Sequence, residues 1–552
     1  MNILYYTLKI LVPKVLMFEE TTKDPMKSQE KVLFEYLKRN KHTEYGGRHN
    51  FAGIKSIEDY RKNVPLNDYL SLEQYIEKMK KGEDNILTVD KPILFGTTSG
   101  TTGRQKYIPV TEYSRVKKID LMDLWVYYIS KDHPDIFDGK ILAIVSPEVE
   151  GYTESGVAYG AESGHGYRNM TDVVKSLYVL PYEVLDIKDY DSKYYCILRL
   201  ALMEKVTTIA SMNPSTIVLL CQKLNELKDD LIKDIDNGTL KEDLKISSEL
   251  RAMLEERLEP APERAVELRL IFCEKKELLP KEVWPKIQLI ECWKGGTVGV
   301  YLKEFPKYFG EVPIRDFGYL ASELRGSVPI TDEGAGGILA INSNFYEFIP
   351  KEDMGKREKR VLLCDQLKEG EEYFIIITTP AGLYRYNIDD IVRVTGFFNK
   401  TPVIEFVQKG LNVTSVTGEK LYESQVCEAV HKAVDHLDVP IKFFTACVQS
   451  GSPFCYQFLV EFMQNPPSQK KEEFIKFVDE ELCRLNCEYE TKRKSQRLSH
   501  PVLKVVKNGE FDKYRKKRVD EGAHDGQFKI CELTCSMDFH EHFDIEEHIT
   551  ID

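Results

Sequence analysis

Three things that the sequence lacks narrow the classes of protein to which it can belong. No apolar run reaches about 18 residues, the length of a spanning helix, so we expect no transmembrane segment and no membrane partner. Positive charge is not in excess: 76 Lys and Arg stand against 89 Asp and Glu, and the net charge of −13 argues against a general nucleic-acid binder. A dense cysteine framework is also missing, because the twelve cysteines are spread along the chain, and we expect reduced thiols in a cytoplasmic protein.

What is present predicts a folded chain of mixed helices and strands. Hydrophobic residues make up 42% of the sequence and aromatic residues 11%, which is enough for a core. Leucines at helical spacing from Leu220 to Leu231 predict a helix that ends near Asn237-Gly238. Short β-branched runs predict buried strands at 141–145, 338–341, 373–379 and 403–407. Because strands and helices alternate, the predicted class is α/β.

The pattern changes after about residue 410. A strand before the first helix would complete the split βαββαβ pattern of a small α+β domain. The predicted elements are a helix at about 422–437, strands at 443–449 and 456–463, a helix at 470–485 and a strand at 502–507. We therefore predict a large domain over residues 1–409 and a small one over 410–552, with a hinge within 408–420.

The strongest chemical signal is the segment 95–106, Phe-Gly-Thr-Thr-Ser-Gly-Thr-Thr-Gly-Arg-Gln-Lys. Its glycines allow tight turns and expose backbone amides to an anion, its hydroxyls donate hydrogen bonds, and Lys106 adds positive charge. This chemistry suits the triphosphate of ATP. The segment is not a Walker loop, because no Gly-Lys-Ser/Thr closes it. The alternative is a flexible Gly/Thr turn without function.

Two further segments carry residues that suit a nucleotide. In Tyr319-Leu-Ala-Ser-Glu323, an aromatic ring can stack on adenine, a hydroxyl can contact phosphate and a carboxylate can hold Mg²⁺. In Tyr384-Arg-Tyr-Asn-Ile-Asp-Asp390, a carboxylate can accept hydrogen bonds from the ribose hydroxyls. Alone, the first would be a buried tyrosine beside a surface glutamate and the second a turn. Their occurrence in this order after the phosphate loop argues against coincidence.

The three segments resemble the signature of adenylate-forming enzymes, and further segments narrow the resemblance. The chain resembles the plant auxin-responsive acyl-acid amido synthetases, the Gretchen Hagen family, over roughly residues 20 to 530, with departures that look closer to non-plant relatives. The supporting segments are 209–212, 345–350, 381–397, 505–512 and 526–529. The resemblance implies a large domain with a β-barrel and α/β sheets, and a small mobile domain. It also implies adenylation of a carboxylic acid by ATP-Mg²⁺ with release of pyrophosphate, then attack by the amine of an amino acid.

The resemblance assigns roles to individual residues. Lys420, Lys529 and Ser99 are implied as catalytic residues. Tyr319 and Ser322 are expected around the nucleotide, and the expected phosphate-loop ligands are Ser99, Gly100, Thr101, Thr102, Gly103 and Lys106. Glu323 is expected to bind Mg²⁺, Asp390 to bind the ribose and Arg393 to support that loop of the nucleotide site. Trp125 and Tyr301 are candidates for the substrate pocket, and core packing is the open alternative for both.

At some positions the residues of this chain differ from those of the plant members of the family. The plant Arg-Val-Gly-Asp reads Asn387-Ile-Asp-Asp390 here, so a side chain replaces glycine at Asp389, and the segment 530–532 differs beside Lys529. The helix after the phosphate loop lacks the arginine that some plant members use, so we expect an apolar or aromatic acyl pocket. The expected partners of a monomer are a small carboxylic acid and an amino acid. An acyl-CoA ligase and a non-catalytic nucleotide-binding relative are the alternative functions.

Overall fold

The computed structural model describes residues 3–99, 105–354, 356–410, 413–451, 453–520 and 532–551. The chain forms two compact units. The larger comprises Met1–Thr97 and Tyr107–Val407, and the smaller comprises Thr98–Lys106 and Gln408–Asp552. The predicted domains, 1–409 and 410–552, differ from these units chiefly in the segment Thr98–Lys106, which belongs to the smaller unit. Within the described ranges, every helix is too short or too polar to cross a membrane.

Helices and strands alternate along most of the chain, which confirms the predicted mixed class. The helices are α1 (Ile3–Thr21), α2 (Pro25–Asn40), α3 (Glu44–Arg48), α4 (Ile57–Asn63), α5 (Tyr69–Lys80), α6 (Glu112–Asp132), α7 (Glu162–Arg168), α8 (Asp172–Lys175), α9 (Tyr182–Leu185), α10 (Tyr190–Ala201), α11 (Pro214–Glu226), α12 (Lys228–Asn237), α13 (Ser248–Glu255), α14 (Pro262–Lys275), α15 (Pro280–Val283), α16 (Phe305–Phe309), α17 (Glu423–Leu437), α18 (Ser468–Leu485), α19 (Cys487–Lys494) and α20 (Glu510–Asp520). The strands are β1 (Pro92–Ser99), β2 (Gln105–Thr111), β3 (Lys140–Ala143), β4 (Gly151–Tyr152), β5 (Ala158–Gly160), β6 (Val206–Ala210), β7 (Leu289–Glu291), β8 (Ile314–Arg315), β9 (Ser327–Val328), β10 (Gly337–Leu339), β11 (Phe345–Pro350), β12 (Glu372–Thr378), β13 (Tyr386–Phe398), β14 (Thr401–Lys409), β15 (Val413–Thr414), β16 (Leu421–Tyr422), β17 (Ile441–Gln449), β18 (Cys455–Phe462), β19 (Val502–Val506), β20 (Leu533–Thr534) and β21 (Ile545–Ile549).

Three sheets contain strands of the larger unit: a parallel sheet, an antiparallel sheet and the four-stranded sheet β2-β1-β5-β4, in which β1 and β2 bound the phosphate-loop segment. The parallel sheet has the order β3-β6-β7-β8. Every residue of its two central strands, β6 and β7, is buried, as is usual for parallel strands. The antiparallel sheet has the order β11-β12-β13-β14-β10-β9. Ile349, Phe374, Ile376 and Ile391 form a core cluster against it.

The predicted helix through the leucines of 220–231 is two helices. α11 ends at Glu226 and α12 begins at Lys228, because Leu227 leaves helical geometry with φ −96° and ψ 2°. The Asn225 side chain donates to the carbonyl of Leu278 (3.0 Å) and accepts its N–H (2.7 Å), which ties the end of α11 to a distant segment. Gly238 follows α12 in a left-handed conformation with φ +70°, as the predicted stop at 237–238 requires.

The smaller unit contains a mixed sheet in the order β20-β17-β18-β19-β21. The predicted order helix, strand, strand, helix, strand appears as α17, β17, β18, α18 and β19. The strand before α17 is the two-residue β16, which pairs with β15 in a separate two-stranded sheet. The edges of the main sheet are instead formed by β20 and β21, from the end of the chain.

Candidate functional site

The phosphate-loop segment is bounded by two strands. Ser99 is the last residue of β1, and Lys106 is the second residue of β2. Gly100, Thr101, Thr102 and Gly103 lie outside the described residues, as does Lys529. The structure therefore gives the positions where the loop begins and ends, and the contacts assigned to those five residues stay predictions.

The strand that leads into the loop lies against the Tyr319–Glu323 segment. A Cβ atom added at Gly96 would lie 3.5 Å from the Cβ of Ser322, an ordinary van der Waals distance. Lys118 of α6 holds the same segment, since its Nζ donates to the carbonyl of Ser322 (3.1 Å) and to Glu162 Oε2 (2.5 Å). Two of the three predicted nucleotide segments are therefore neighbours in the fold.

Glu323 has the features expected of a cation ligand. Its exposed fraction is 9%, and no described residue gives its carboxylate a hydrogen bond or an ion pair. A carboxylate that accepts no hydrogen bond from the described residues is available to a cation, so this environment fits a bound Mg²⁺. Within the described ranges, no group of three or more His, Cys, Asp and Glu side chains forms a ready metal cage. A magnesium ion at Glu323 would therefore take its other oxygens from water and phosphates, which is its usual manner of binding.

The segment 384–390 contacts the segment 319–323 through a buried hydrogen bond. The Tyr319 hydroxyl donates to Asp390 Oδ2 at 2.7 Å. Burial raises the pKa of Tyr319 well above its ordinary value, and the nearby Asp390 carboxylate adds to the rise, so the hydroxyl keeps its proton and stays a donor. The Tyr319 ring packs parallel to Phe406, with centroids 6.3 Å apart. Tyr319 thus fixes the orientation of the carboxylate assigned to the ribose.

A β-bulge turns Asp390 out of the regular strand pattern. The register between β12 and β13 shifts between Phe374 and Ile376, so that residues 388–390 lie opposite a single residue of β12. A bulge re-aims the side chains that it carries and is common beside functional sites. Regular alternation along β13 would not have predicted the direction of Asp390.

Asp389, the position at which the plant pattern has glycine, adopts a left-handed backbone with φ +61°. The Asn387 side chain supports this turn, because its Oδ1 accepts the N–H of Asp389 at 3.0 Å. Aspartate tolerates the left-handed region better than most residues. The substitution that the sequence left in doubt is therefore compatible with the bulge.

The left-handed backbone at Asp389 leads to a prediction about the free energy of unfolding. Asp389→Val should lower the free energy of unfolding by about 1–2 kcal/mol, because a branched side chain is strained at positive φ. Asp389→Gly should stay within about 1 kcal/mol of wild type, since glycine removes strain but adds chain entropy. Chemical denaturation followed by tryptophan fluorescence measures both variants. Equal stability of the two would contradict a strained left-handed position.

Arg393 lies three residues after Asp390 and bridges strands. Its Nη2 donates to Glu372 of β12 at 2.6 Å, and its Nη1 donates to Glu405 of β14 at 3.1 Å. The side chain is 42% exposed. These ion pairs stiffen β13 beside the bulge, which agrees with a supporting role, and a contact of Arg393 with the nucleotide stays a prediction.

Two segments that the sequence singled out separately are joined by a buried ion pair. Glu347 of β11 is 1% exposed and Arg385 is 5% exposed. The Arg385 guanidinium donates to Glu347 from Nε (2.8 Å) and Nη2 (3.2 Å), and to the Val64 carbonyl from Nη1 (2.8 Å). Arg61 adds a third bond to Glu347 at 2.8 Å. This network anchors the chain just before the bulge, and it could not be predicted from the sequence because its members come from three distant segments.

Trp125 and Tyr301 are both buried, at 4% and 2% exposure. Trp125 Nε1 donates to the Asp316 carbonyl at 2.8 Å, and the indole stacks on Phe317 with centroids 5.0 Å apart. The Arg325 guanidinium lies 5.6 Å from the same ring. These contacts position the loop that leads to Tyr319, and a role of Trp125 or Tyr301 in the acyl pocket stays a prediction.

Lys420 belongs to the smaller unit, where its side chain and its carbonyl group both contact neighbouring residues. Its Nζ lies 4.0 Å from Glu488 Oε1, and its carbonyl accepts from Asn486 Nδ2 at 2.7 Å. The preceding Glu419 is completely buried and accepts the Tyr456 hydroxyl at 2.6 Å together with two backbone N–H groups of its own turn. The turn that presents Lys420 is therefore well defined.

Comparisons with known proteins agree over most of the chain. It is 27% identical to a jasmonoyl-L-amino acid synthetase, JAR4, of Nicotiana attenuata, over 93% of this chain and 92% of the relative. It is 25% identical to an indole-3-acetic acid-amido synthetase, GH3.10, of Arabidopsis thaliana, over 94% of each. A solved structure of AtGH3.15 acyl acid amido synthetase in complex with 2,4-DB aligns with a TM-score of 0.66 at 25% identity and covers 98% of this chain and 97% of that one.

Models of one protein family match three successive segments of the chain. The GH3 family N-terminal domain matches residues 15–314, the central domain residues 337–409 and the C-terminal domain residues 424–536. Together with the shared fold, these matches show that the chain belongs to the GH3 family.

Proposed function

We propose that this protein is an ATP-dependent acyl-acid amido synthetase, which adenylates a carboxylic acid and transfers the acyl group to the amine of an amino acid. The observation that carries the proposal is the packing of Gly96 against Ser322 together with the hydrogen bond from Tyr319 to Asp390. These contacts gather residues of three separate segments, each suited to a different part of ATP. The names of the relatives support the amide-forming second step.

The residues divide the work on ATP. Asp390 accepts hydrogen bonds from the ribose hydroxyls, and Tyr319 keeps its carboxylate in place. The hydroxyls and amides of the loop, with Lys106, bind the phosphates, since backbone amides and a cation suit a polyphosphate. Glu323 holds Mg²⁺, which when bound neutralises phosphate charge. Lys420 and Lys529 add positive charge as pyrophosphate leaves, which stabilises the transition state.

The two steps of the proposed reaction are tested separately. Pyrophosphate exchange across a library of carboxylic acids reports adenylation without knowledge of the acceptor. Amino acids or coenzyme A are then offered with the best acid, and the product is identified by mass spectrometry. An amide supports the proposal. A thioester with no amide would make the protein an acyl-CoA ligase, and tight ATP binding without exchange for any acid would make it a non-catalytic relative.

Lys529 gives a sharper prediction for the first step. Lys529→Ala should slow pyrophosphate exchange by about 10²–10³-fold, the usual cost of losing one electrostatic donor in the transition state. ATP affinity should change much less, because the charge acts mainly as pyrophosphate departs. Lys517→Ala, which removes an exposed lysine of α20, is the charge-matched control. A loss of ATP affinity as large as the loss of rate would contradict this assignment.

A further inference from the structure

The first turn of α11 carries two buried polar atoms that the function described so far does not use. Asn213, which caps the helix, is 6% exposed, and Ser215 in the first turn is 4% exposed. The Nδ2 of Asn213 and the Oγ of Ser215 are both buried without a hydrogen bond to any described residue. Buried polar atoms are normally paired, so these two are available to a ligand.

The helix cap fixes which atom of the Asn213 amide is available. Its Oδ1 accepts the backbone N–H of Ser215 at 2.9 Å, so the amide oxygen is already used and the NH2 group is the one left over. Because the Asn213 side chain lies against the N–H of Ser215, its Nδ2 and the Ser215 hydroxyl lie at the same end of the helix. Together they offer two donors to one ligand.

These donors lie at the carboxyl end of the parallel sheet, where ligands of open α/β sheets bind. β6 ends at Ala210, three residues before Asn213, and β7 ends at Glu291. The loops that follow the two strands are joined, because Trp293 donates its backbone N–H to the carbonyl of Met212 at 3.0 Å. Met212 and Trp293 are partly exposed, so the loop that carries the donors reaches the surface.

The surroundings of the two donors favour an anion. An amide NH2 group only donates, a hydroxyl can donate, and the N-terminus of α11 is the positive end of the helix dipole. Glu291, whose carbonyl accepts the N–H of Ser211 at 2.9 Å, repels an anion little, because burial raises its pKa to about 8 and it is mostly uncharged at pH 7. The carboxylate of Asp316, after β8, is occupied by the backbone N–H groups of Lys294 (2.6 Å) and Gly318 (2.5 Å). A carboxylate, whose two oxygens can accept both donors, fits this end of the helix.

We propose that Asn213 and Ser215 bind a carboxylate of a substrate, through Nδ2 and Oγ, at the N-terminus of α11. The inference rests on the proposed function, in which that group is either the α-carboxylate of the acceptor amino acid or the carboxylate of the acyl acid. The segment 296–304, which contains the substrate-pocket candidate Tyr301, packs against the same helix. The two residues therefore determine specificity, because they select a substrate that presents an anion at this position.

Two substitutions remove the donors without removing the helix cap. Ser215→Ala deletes a hydroxyl that has no partner in the described part of the chain, so the melting temperature should not fall. Asn213→Asp keeps a capping oxygen, since aspartate and asparagine cap helices about equally well, and replaces the donor by a charged acceptor. The control is Ser468→Ala, at the exposed first residue of α18. A lower melting temperature for Ser215→Ala than for this control would show that the hydroxyl supports the fold, and would overturn the proposal.

Kinetic measurements separate the two sources of the carboxylate. If it comes from the acceptor, Ser215→Ala raises KM for the amino acid roughly 10- to 100-fold, the usual range for a lost hydrogen bond to a charged group. KM for the decarboxylated amine of the same acceptor, and KM for the acid in pyrophosphate exchange, then stay unchanged. If it comes from the acid, KM for the acid in the exchange reaction rises by the same factor and KM for ATP does not.

Asn213→Asp should raise the affected KM further than Ser215→Ala does, because its negative charge repels the carboxylate. Ser468→Ala should leave every KM unchanged. Unchanged KM values in both arms for Ser215→Ala, or an equal rise for the amine that lacks the carboxylate, would overturn the proposal.

A binding measurement distinguishes failure of this inference from failure of the proposed function. If wild type catalyses no exchange with any acid, the proposed function fails and the site is still tested by its affinity for a simple carboxylate. Sodium acetate should raise the melting temperature of wild type and of Ser468→Ala by about 1 °C relative to sodium chloride at equal ionic strength. Ser215→Ala and Asn213→Asp should show no such shift. No shift in wild type, or an equal shift in Ser215→Ala, refutes the site.

Discussion

Glu347→Gln is expected to lower the free energy of unfolding of the larger unit by about 3–5 kcal/mol, the usual cost of breaking a buried ion pair by removing one partner. The carboxylate of Glu347 receives three hydrogen bonds, two from Arg385 and one from Arg61. A glutamine side chain of the same shape has no charge to offer, and Arg385 would stay buried with its own charge uncompensated. The loss should therefore be far greater than for an ion pair on the surface.

Tryptophan fluorescence isolates this effect, because all three tryptophans of the chain, at 125, 284 and 293, belong to the larger unit. The control is Glu352→Gln, which breaks a 2.6 Å ion pair with Arg360 whose side chains are about 60% exposed. It should cost less than about 1 kcal/mol. A double variant, Glu347→Leu with Arg385→Met, should recover most of the loss, since it removes the two most buried charges together and leaves only Arg61, whose side chain is partly exposed. A Glu347→Gln loss no larger than the control would show that the pair does not stabilise the fold.

Much of the fold could be predicted from local pattern. The helix expected at about 422–437 is α17, Glu423–Leu437, and the strand expected at 502–507 is β19, Val502–Val506. Tertiary contacts produced the differences. The single helix predicted through Leu227 is divided because Asn225 bonds to Leu278, a residue that no local pattern connects with it.

The candidate site shows the same division between local chemistry and distant contacts. The sequence indicated which segments suit a nucleotide, because the residue types themselves carry that chemistry. It could not indicate that the Tyr319 hydroxyl holds Asp390, because the two residues are far apart in the chain. The bulge that directs Asp390 depends on the pairing of β13 with β12, and the register of that pairing cannot be predicted from composition.

The burial of Glu291 could not be predicted from the sequence. A single glutamate at the end of an apolar run looks like the solvated end of a strand. Its neighbours in the sheet, two alanines and an arginine that forms its ion pairs elsewhere, leave this side chain only 9% exposed. Whether a side chain at the end of a strand is buried depends on residues of other strands, which local pattern does not indicate.

Asp390→Ala is expected to weaken ATP binding about 10- to 100-fold, because hydrogen bonds to a charged group contribute about 1.5–3 kcal/mol. Tyr319→Phe removes the hydroxyl that donates to Asp390 Oδ2 at 2.7 Å and leaves the carboxylate in place. It should cost less, roughly 3- to 10-fold, since a single hydrogen bond contributes about 0.5–1.5 kcal/mol. Together the two substitutions should cost less than the sum of their separate effects, because Tyr319 acts through Asp390.

The nucleotide itself tests whether Asp390 contacts the ribose. Wild type should bind 2′,3′-dideoxy-ATP more weakly than ATP, because the carboxylate loses both hydroxyl donors. Asp390→Ala should bind the two nucleotides equally, since the group that distinguishes them is gone. Asp389→Gly, one residue away in the same bulge, should discriminate as wild type does. Isothermal titration calorimetry measures these affinities. If Asp390→Ala still prefers ATP over the dideoxy nucleotide by the wild-type factor, another residue binds the ribose. The Tyr319–Asp390 pair would then only stabilise the bulge.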